Sequence, residues 1–425
     1  MPELPSPRAW AQRPPELDAT SDVDGPKVGG FDLAVKASTA VRGFAWHAGC
    51  PLFADQIARA DASIVATLRA HGARVVGTTN MHEMAMGITS ANGWLGPVPN
   101  PVDPTRSAGG SSGGSAAVVA LGEVPLALGG DTGGSVSIPA GVCGVVGFRP
   151  TVGRYPRDGH LAMSWTRDTP GLFARRVAEI ATADRWITAA APPGTTSKAD
   201  PGPQPRRLAV PVDYLTGLHP CTRDAWDRAR SALEVEWDLV EVSFDALRPI
   251  LAGPSWTLIG WECRTLFAQF AAQALGVSPD EGWRRLLDGV VTGDVIESLH
   301  RADAHPVTAD VYAQAVRRTL AARAEYERVL GAAGCELAVF PTTVRPATRL
   351  GDNDIVTHAG EQTHVFALMT RNVAAGTMLR APMLTLPVPR AAGALPVGIT
   401  VQGRAFGDAT VLTAGARVEA TLRSA

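Results

Sequence analysis

The chain has 425 residues, 45% of them hydrophobic, enough for a sizeable core, and a formal net charge of −2. That near-balance offers no electrostatic basis for binding nucleic acid or an anionic membrane surface, and no apolar run approaches the roughly 20 residues needed to span a bilayer. The N-terminus, "MPELPSPRAWAQRPPELDATSDVDG", is Pro-rich and acidic without an apolar h-region, so it does not read as a signal peptide. Five scattered cysteines (Cys50, Cys143, Cys221, Cys263, Cys335) show no CxxC or zinc spacing and read as reduced thiols of a cytoplasmic protein.

Residues 1–30 read as a Pro-rich arm. "FDLAVKAS" (31–38) is a short apolar strand carrying Lys36, and from Asp55 to His71 the residues Ile57, Ile64, Val65 and Leu68 fall at helical spacing before Gly72. "ARVVGTTN" reads as a buried strand, which gives a layered α/β order. "SAAVVALGEVPLALGG" predicts a small-residue helix, a short strand and a glycine turn, and "IPAGVCGVVGFRPTVGRYP" predicts strand-like apolar residues and turns. Residues 175–335 are mainly helical in pattern, with a linker-like stretch at 191–207. "CELAVFPTT" and "LPVGITVQG" predict strands, and "DATVLTAGARVEATLR" a final helix. Residues 31–425 therefore predict one large α/β domain with a helical excursion in its middle.

The segment "SAGGSSGGSAAVVALGEVPLALGGDTGGS" (107–135) admits four readings. A solvated linker would not carry Val118, Val119, Leu121, Val124, Leu126 and Leu128. A phosphate cradle needs a lysine or a GxGxxG turn, and no lysine occurs between Lys36 and Lys198. "GGSSG" formally matches a nucleophile elbow at Ser111, but none of the later histidines (His160, His219, His300, His305, His358, His364) lies in a context that marks it as the base.

The fourth reading is the one these residues carry best: "GGSSGGSAAVVALGEVPLALGGDTGGSVSIPAGVCGVVGFRPT" resembles the signature segment of the amidase signature family. "FDLAVKAS", "VVGTTNMHEMAMG", "CELAVFPTT" and "APMLTLPVPRAAGALPVGITVQG" resemble its flanking strands, so the likeness covers roughly 31–185 and 335–420. The resemblance implies a large twisted mixed β-sheet covered by helices on both faces, and a Ser–cis-Ser–Lys triad. Carried over by motif, Ser135 is the nucleophile, Ser111 the bridging serine 24 residues before it, and Lys36 the base.

The chemistry suits the residue types. A serine hydroxyl needs a base, and a lysine serves as one only when its pKa is lowered by burial or a cationic neighbour. Lys36 sits between Val35 and Ala37 and is one of three lysines in the chain. The backbone N–H groups of Thr132, Gly133, Gly134 and Ser135 are candidates for an oxyanion hole, and Ser112 and Ser115 for holding the loop. The implied reaction is acyl transfer through Ser135 to water, without metal or organic cofactor. The cluster Asp352, Asp354, His358 and His364 matches no metal-ligand spacing and reads as a polar loop.

Two side chains depart from the family pattern: Ser137 stands where arginine is usual and Ala37 where aspartate is usual. The segment before the lysine is also short. Within the family, "GVVGFRPTVGRYPRDGHLAMSWTRDTPGLFARRVAEI" and "RNVAAGTMLRAPMLTLPV" are most similar to the indoleacetamide and mandelamide hydrolases. That implies an amidohydrolase for a small arylacetamide-like amide, with His82, Met86, Met163 and Trp165 as candidate pocket walls. Two alternatives stay open, an amidotransferase-type subunit working with a partner protein and a weakly active binding homologue. A small-molecule amide is the expected ligand and a homodimer the expected assembly.

Overall fold

The computed structural model describes residues 6–13, 30–190, 205–247, 251 and 254–424. Fifteen strands run in chain order through the described residues. The first eight are β1 (Trp10–Gln12), β2 (Phe31–Lys36), β3 (Ala73–Thr79), β4 (Ala91–Asn92), β5 (Gly96–Pro97), β6 (Leu126–Asp131), β7 (Val146–Arg149) and β8 (Thr169–Ala174). They continue as β9 (Arg207–Pro211), β10 (Asp238–Val242), β11 (Leu337–Pro341), β12 (Ile355–His358), β13 (Glu361–His364), β14 (Met383–Pro387) and β15 (Gly398–Gln402). Eleven of them form one mixed sheet in the order β1-β3-β2-β6-β8-β7-β14-β15-β11-β9-β10, and β4–β5 and β12–β13 are small separate hairpins.

The helices are α1 (Ser63–Ala70), α2 (Gly113–Ala120), α3 (Ser137–Cys143), α4 (Val177–Ala189), α5 (Pro220–Leu233) and α6 (Pro254–Leu275). After them come α7 (Pro279–Gly289), α8 (Gly293–Ala304), α9 (Ala309–Ala332), α10 (Val365–Thr370), α11 (Ala374–Met378) and α12 (Asp408–Ser424). None of the described helices is long and apolar enough to cross a membrane.

Alternation along the strands sorts the core into two layers. One face carries Ala34, Ala127, Ala209 and Ala338, and α2 and α3 pack against it through Ala116–Val119, Ile138 and Val142. The opposite face carries Leu33, Val35, Leu126, Leu128, Leu208 and Val339, covered by α1, α4, α5 and α12. Small side chains on the first face let α2 and α3 approach the sheet closely. A third core lies apart from these, where α6, α7 and α8 close on Phe53, Met84, Leu161 and Met163.

Several sequence expectations change here. The strand-like "IPAGVCG" is the buried helix α3, whose residues are enclosed on every side and so show no face-selective period. The helix expected from Asp55 begins only at Ser63. Part of the N-terminal arm is structured: Trp10–Gln12 pairs antiparallel with β3, and the Trp10 indole donates to Glu123 at 2.6 Å. The middle section contributes β9 and β10 to the sheet as well as its helices. Residues 191–204 of the linker-like stretch lie outside the described residues.

A buried polar knot joins the sheet to its covering helices. Arg154 donates to both oxygens of Asp184 on α4 at 2.8 and 2.6 Å, Tyr155 adds a 2.8 Å bond, and Thr151 caps Asp408 of α12 through backbone and hydroxyl. Removing one member leaves the others charged and desolvated. Asp184→Ala is therefore expected to lower unfolding stability by about 3–5 kcal/mol, read from urea denaturation against wild type.

Candidate active site

Lys36 and Asp131 stand at the carboxyl ends of the adjacent parallel strands β2 and β6, the edge of an α/β sheet where ligands commonly bind. The Lys36 ammonium position is enclosed, and its Nζ lies 2.8 Å from Ser111 Oγ. Burial lowers the Lys36 pKa to about 7, while the negative charges of Asp131 and then Asp168 oppose that fall. Near neutrality the side chain is thus divided between amine and ammonium.

Ser111 follows a cis Gly110–Ser111 peptide bond just before α2. Its carbonyl accepts from the His82 backbone N–H at 3.1 Å. Ser112 exchanges bonds with the Gly130 backbone (3.0 and 3.2 Å), and Ser115 reaches Leu128 O at 2.8 Å. The Ser112 N–H then donates to the Ser135 carbonyl at 3.3 Å, which brings the two glycine turns together. Ser135 is buried at 6% exposure, at the end of the turn that leads into α3.

Asp131 shapes that turn. Its carboxylate accepts from Gly134 N–H at 3.0 Å and Val136 N–H at 2.7 Å, and from the Arg149 guanidinium at 2.6 Å. Arg149 also donates to the carbonyls of Asp131 (2.8 Å) and Arg167 (2.7 Å). Gly134 has φ +111°, and an added Cβ would lie 2.6 Å from Val373, so both backbone and space require glycine there. Of the expected oxyanion donors, Gly134 is committed to Asp131. The N–H groups of Thr132, Gly133 and Ser135 make no hydrogen bond among the described residues.

Three further polar groups surround the site. Asp168 accepts from Thr132 Oγ1 (2.6 Å) and from the Met163 and Ser164 N–H groups (2.6 and 2.7 Å), and burial raises its pKa. His160 bonds Thr39 Oγ1 at 2.8 Å, and burial followed by the nearby Lys36 charge lowers its pKa to about 3, leaving the ring neutral. Arg167 binds Thr132 O through Nε at 3.0 Å, Ser255 through Nη1 and Thr377 Oγ1 through Nη2 at 2.7 Å. Its pKa falls to about 10, chiefly through burial and then the Arg149 charge.

A cavity of about 480 Å³ opens onto Gly133 and Arg167, walled by Phe244, Leu247, Trp256, Ile259, Phe366 and Met378. The four residues expected as pocket walls do not line it. The buried His82 ring pairs with Asp294 at 3.1 Å, and Met86 and Met163 pack into the third core. The Trp165 indole donates to Tyr312 OH at 2.9 Å, and Tyr312 in turn donates to the buried Glu262. The Asp352–His364 segment is largely a hairpin, and among the described residues no group of three or more His, Cys, Asp or Glu is placed to hold a metal ion.

Sequence reading did not single out Arg149, Arg167 or the residues that wall this cavity. The two arginines had a signal, since "VVGFRP" and "SWTRDTPG" place guanidinium groups inside otherwise apolar or turn-forming strand edges. The wall had none, because it is assembled from segments more than a hundred residues apart.

The arrangement — a lysine on a hydroxyl, a second serine across a bonded turn, and N–H groups without a partner among the described residues — has the parts that can activate a hydroxyl and stabilise an oxyanion. The model of the Amidase family matches residues 7–412. The indoleacetamide hydrolase of Allorhizobium ampelinum is 32% identical over 394 residues, covering 92% of this chain and 84% of that one. The mandelamide hydrolase of Pseudomonas putida is 34% identical over 415 residues, covering 93% and 79%. The crystal structure of an amidase aligns with TM-score 0.78 at 34% identity, covering 92% and 84%. The chain belongs to the amidase family, with its α/β fold, and is an amide-hydrolysing enzyme.

Arg149 balances the buried Asp131 charge, and the buried hydroxyl of Ser137 has no hydrogen-bond partner among the described residues. Arg149→Met is expected to cost about 3–5 kcal/mol of stability, measured by denaturant unfolding. Loss of the turn's anchor should lower kcat in the protein that remains folded.

Proposed function

We propose that this chain hydrolyses a small, arylacetamide-like primary amide through an acyl-Ser135 intermediate. The observation that carries the reading is the 2.8 Å contact of a buried, pKa-lowered Lys36 with Ser111, on a turn bonded to that of Ser135. Neutral Lys36 takes the Ser111 proton while Ser111 takes that of Ser135, whose Oγ bonds to the amide carbon. The resulting oxyanion lies against the N–H groups of Thr132, Gly133 and Ser135. Collapse expels ammonia, protonated from the Lys36 ammonium through Ser111. Water then attacks the ester by the same relay and frees the acid. The apolar walls of the cavity suit an aryl group, in keeping with the indoleacetamide and mandelamide named for the relatives.

The test is ammonia release from phenylacetamide by the isolated chain. Ser135→Ala is expected to abolish it, a loss of roughly 10⁴-fold or more in kcat, with Ser111→Ala and Lys36→Met also severely impaired. A fluorophosphonate should label Ser135 in a peptide mass spectrum. Labelling of Ser111 instead would overturn the assignment.

The pH dependence has a fixed sign. The amine form of Lys36 is the base, so kcat/KM should climb with pH through about 7 and level off above it. Asp168→Asn removes a charge that favours the ammonium, so the midpoint of a kcat/KM–pH profile should move to lower pH.

A further inference from the structure

The Arg167 guanidinium is buried and held on three sides. Nε donates to Thr132 O at 3.0 Å, Nη1 to Ser255 Oγ of α6 at 2.8 Å, and Nη2 to Thr377 Oγ1 of α11 at 2.7 Å. A Cβ built on Gly133 would lie 3.7 Å from Nη2, so the positive group sits beside that residue.

What the Nε bond holds is a peptide unit. Thr132 O and the Gly133 N–H belong to one planar trans amide, so they point to opposite sides of the chain. A carbonyl fixed on Arg167 therefore fixes the direction of the Gly133 N–H. Among the described residues nothing else bonds this unit: Thr132 O accepts only from Arg167, and the Gly133 N–H has no acceptor. The unit lies just past the end of β6, and Gly133 has no side chain to resist rotation of the amide plane. The 2.6 Å bond from Thr132 Oγ1 to Asp168 anchors the side chain, not the amide.

The preceding amide is held in the same way. Arg149 Nη1 donates to Asp131 O at 2.8 Å, and that amide carries the Thr132 N–H. Arg149 Nη2 donates to the Arg167 carbonyl at 2.7 Å, which joins the two supports. Two consecutive N–H groups are thus each backed by a guanidinium on the carbonyl of their own amide. A charged donor on the carbonyl also polarises the amide and strengthens its N–H as a donor.

We infer that Arg167 is a positioning residue that acts through the Thr132–Gly133 amide, holding the Gly133 N–H in the direction that meets the oxyanion of the Ser135 adduct. The inference rests on the amide-hydrolase reading, which uses that N–H, and deepens it by naming what fixes the donor. The carbonyl oxygen gains its charge only as Ser135 bonds, so the loss of Arg167 should fall on kcat and spare KM.

The test uses phenylacetamide as substrate and benzylboronic acid as the tetrahedral probe. Ser135 Oγ bonds to boron, its proton passes to Lys36 through Ser111, and boron carries the negative charge. Removing one oxyanion donor costs about 10²–10³ in kcat; a donor that is loosened rather than removed predicts a roughly ten- to hundredfold loss. Arg167→Met is expected to raise the boronate Ki by such a factor while KM moves by no more than about threefold. Both constants are independent of the fraction folded. Arg167→Gln loses the same charge and the same Nη bonds, but places an amide nitrogen where Nε stands, and it should recover part of the boronate affinity. Thr377→Val, which removes the acceptor of Nη2, should raise Ki by a smaller factor, and it carries the test if Arg167→Met yields no folded protein. The inference is overturned if Ki stays at the wild-type value, if KM rises as much as Ki, or if Arg167→Gln binds the boronate no better than Arg167→Met. Those results leave the hydrolase reading intact, whereas no Ser135-dependent turnover of any amide by wild type removes both.

Discussion

The carboxylate of Asp131 is the constraint on which the rest of the site depends. It ends a fully buried strand, where an unpaired charge would cost several kcal/mol. Arg149 from the neighbouring part of the sheet and two backbone N–H groups meet that cost together. The same bonds bend the chain through Gly134 and so decide which N–H groups point elsewhere. Asp131 claims the N–H groups of Gly134 and Val136, and those of Thr132, Gly133 and Ser135 have no partner among the described residues. One ion pair thus settles both a stability problem and the shape of a candidate oxyanion site.

Lys36 is governed by an opposition rather than by one neighbour. Enclosure favours the amine, and the negative charges of Asp131 and Asp168 favour the ammonium. Neither wins outright, and the group is left near neutrality, where a base works best at physiological pH. His160, itself held neutral by burial and the nearby Lys36 charge, adds no compensating charge. The acidic pair therefore contributes to the turn's geometry and to the protonation balance of Lys36 at once.

How much of this was legible in the sequence follows from how local each feature is. Lys36, Ser111 and Ser135 sit in short motifs with fixed spacing, so a linear reading reaches them. The strands 31–36, 73–79 and 337–341 were legible for a similar reason, as short apolar runs bounded by turns. Helix α3 was not, because a helix buried on all sides shows no period to distinguish it from a strand. The cavity was illegible for a different reason. Phe244, Trp256 and Phe366 become neighbours of Gly133 only through tertiary packing, whereas Met163 and Trp165, close to Arg167 in sequence, point into other contacts.

The two-layered distribution of the core has a consequence for divergence. Lys36 at the end of β2 and the turns carrying Ser111 and Ser135 lie on the side of the alanine-rich face of the sheet, where α2 and α3 leave little room for change. Much of the cavity wall comes instead from Phe244, Leu247, Leu251, Ser255, Trp256 and Ile259 and from α10 and α11, outside the strands that hold those turns. Lineages of such a protein can exchange wall residues without disturbing the strands and turns that carry Lys36, Ser111 and Ser135. Related chains should therefore differ most in the shape of this cavity and least around those three residues.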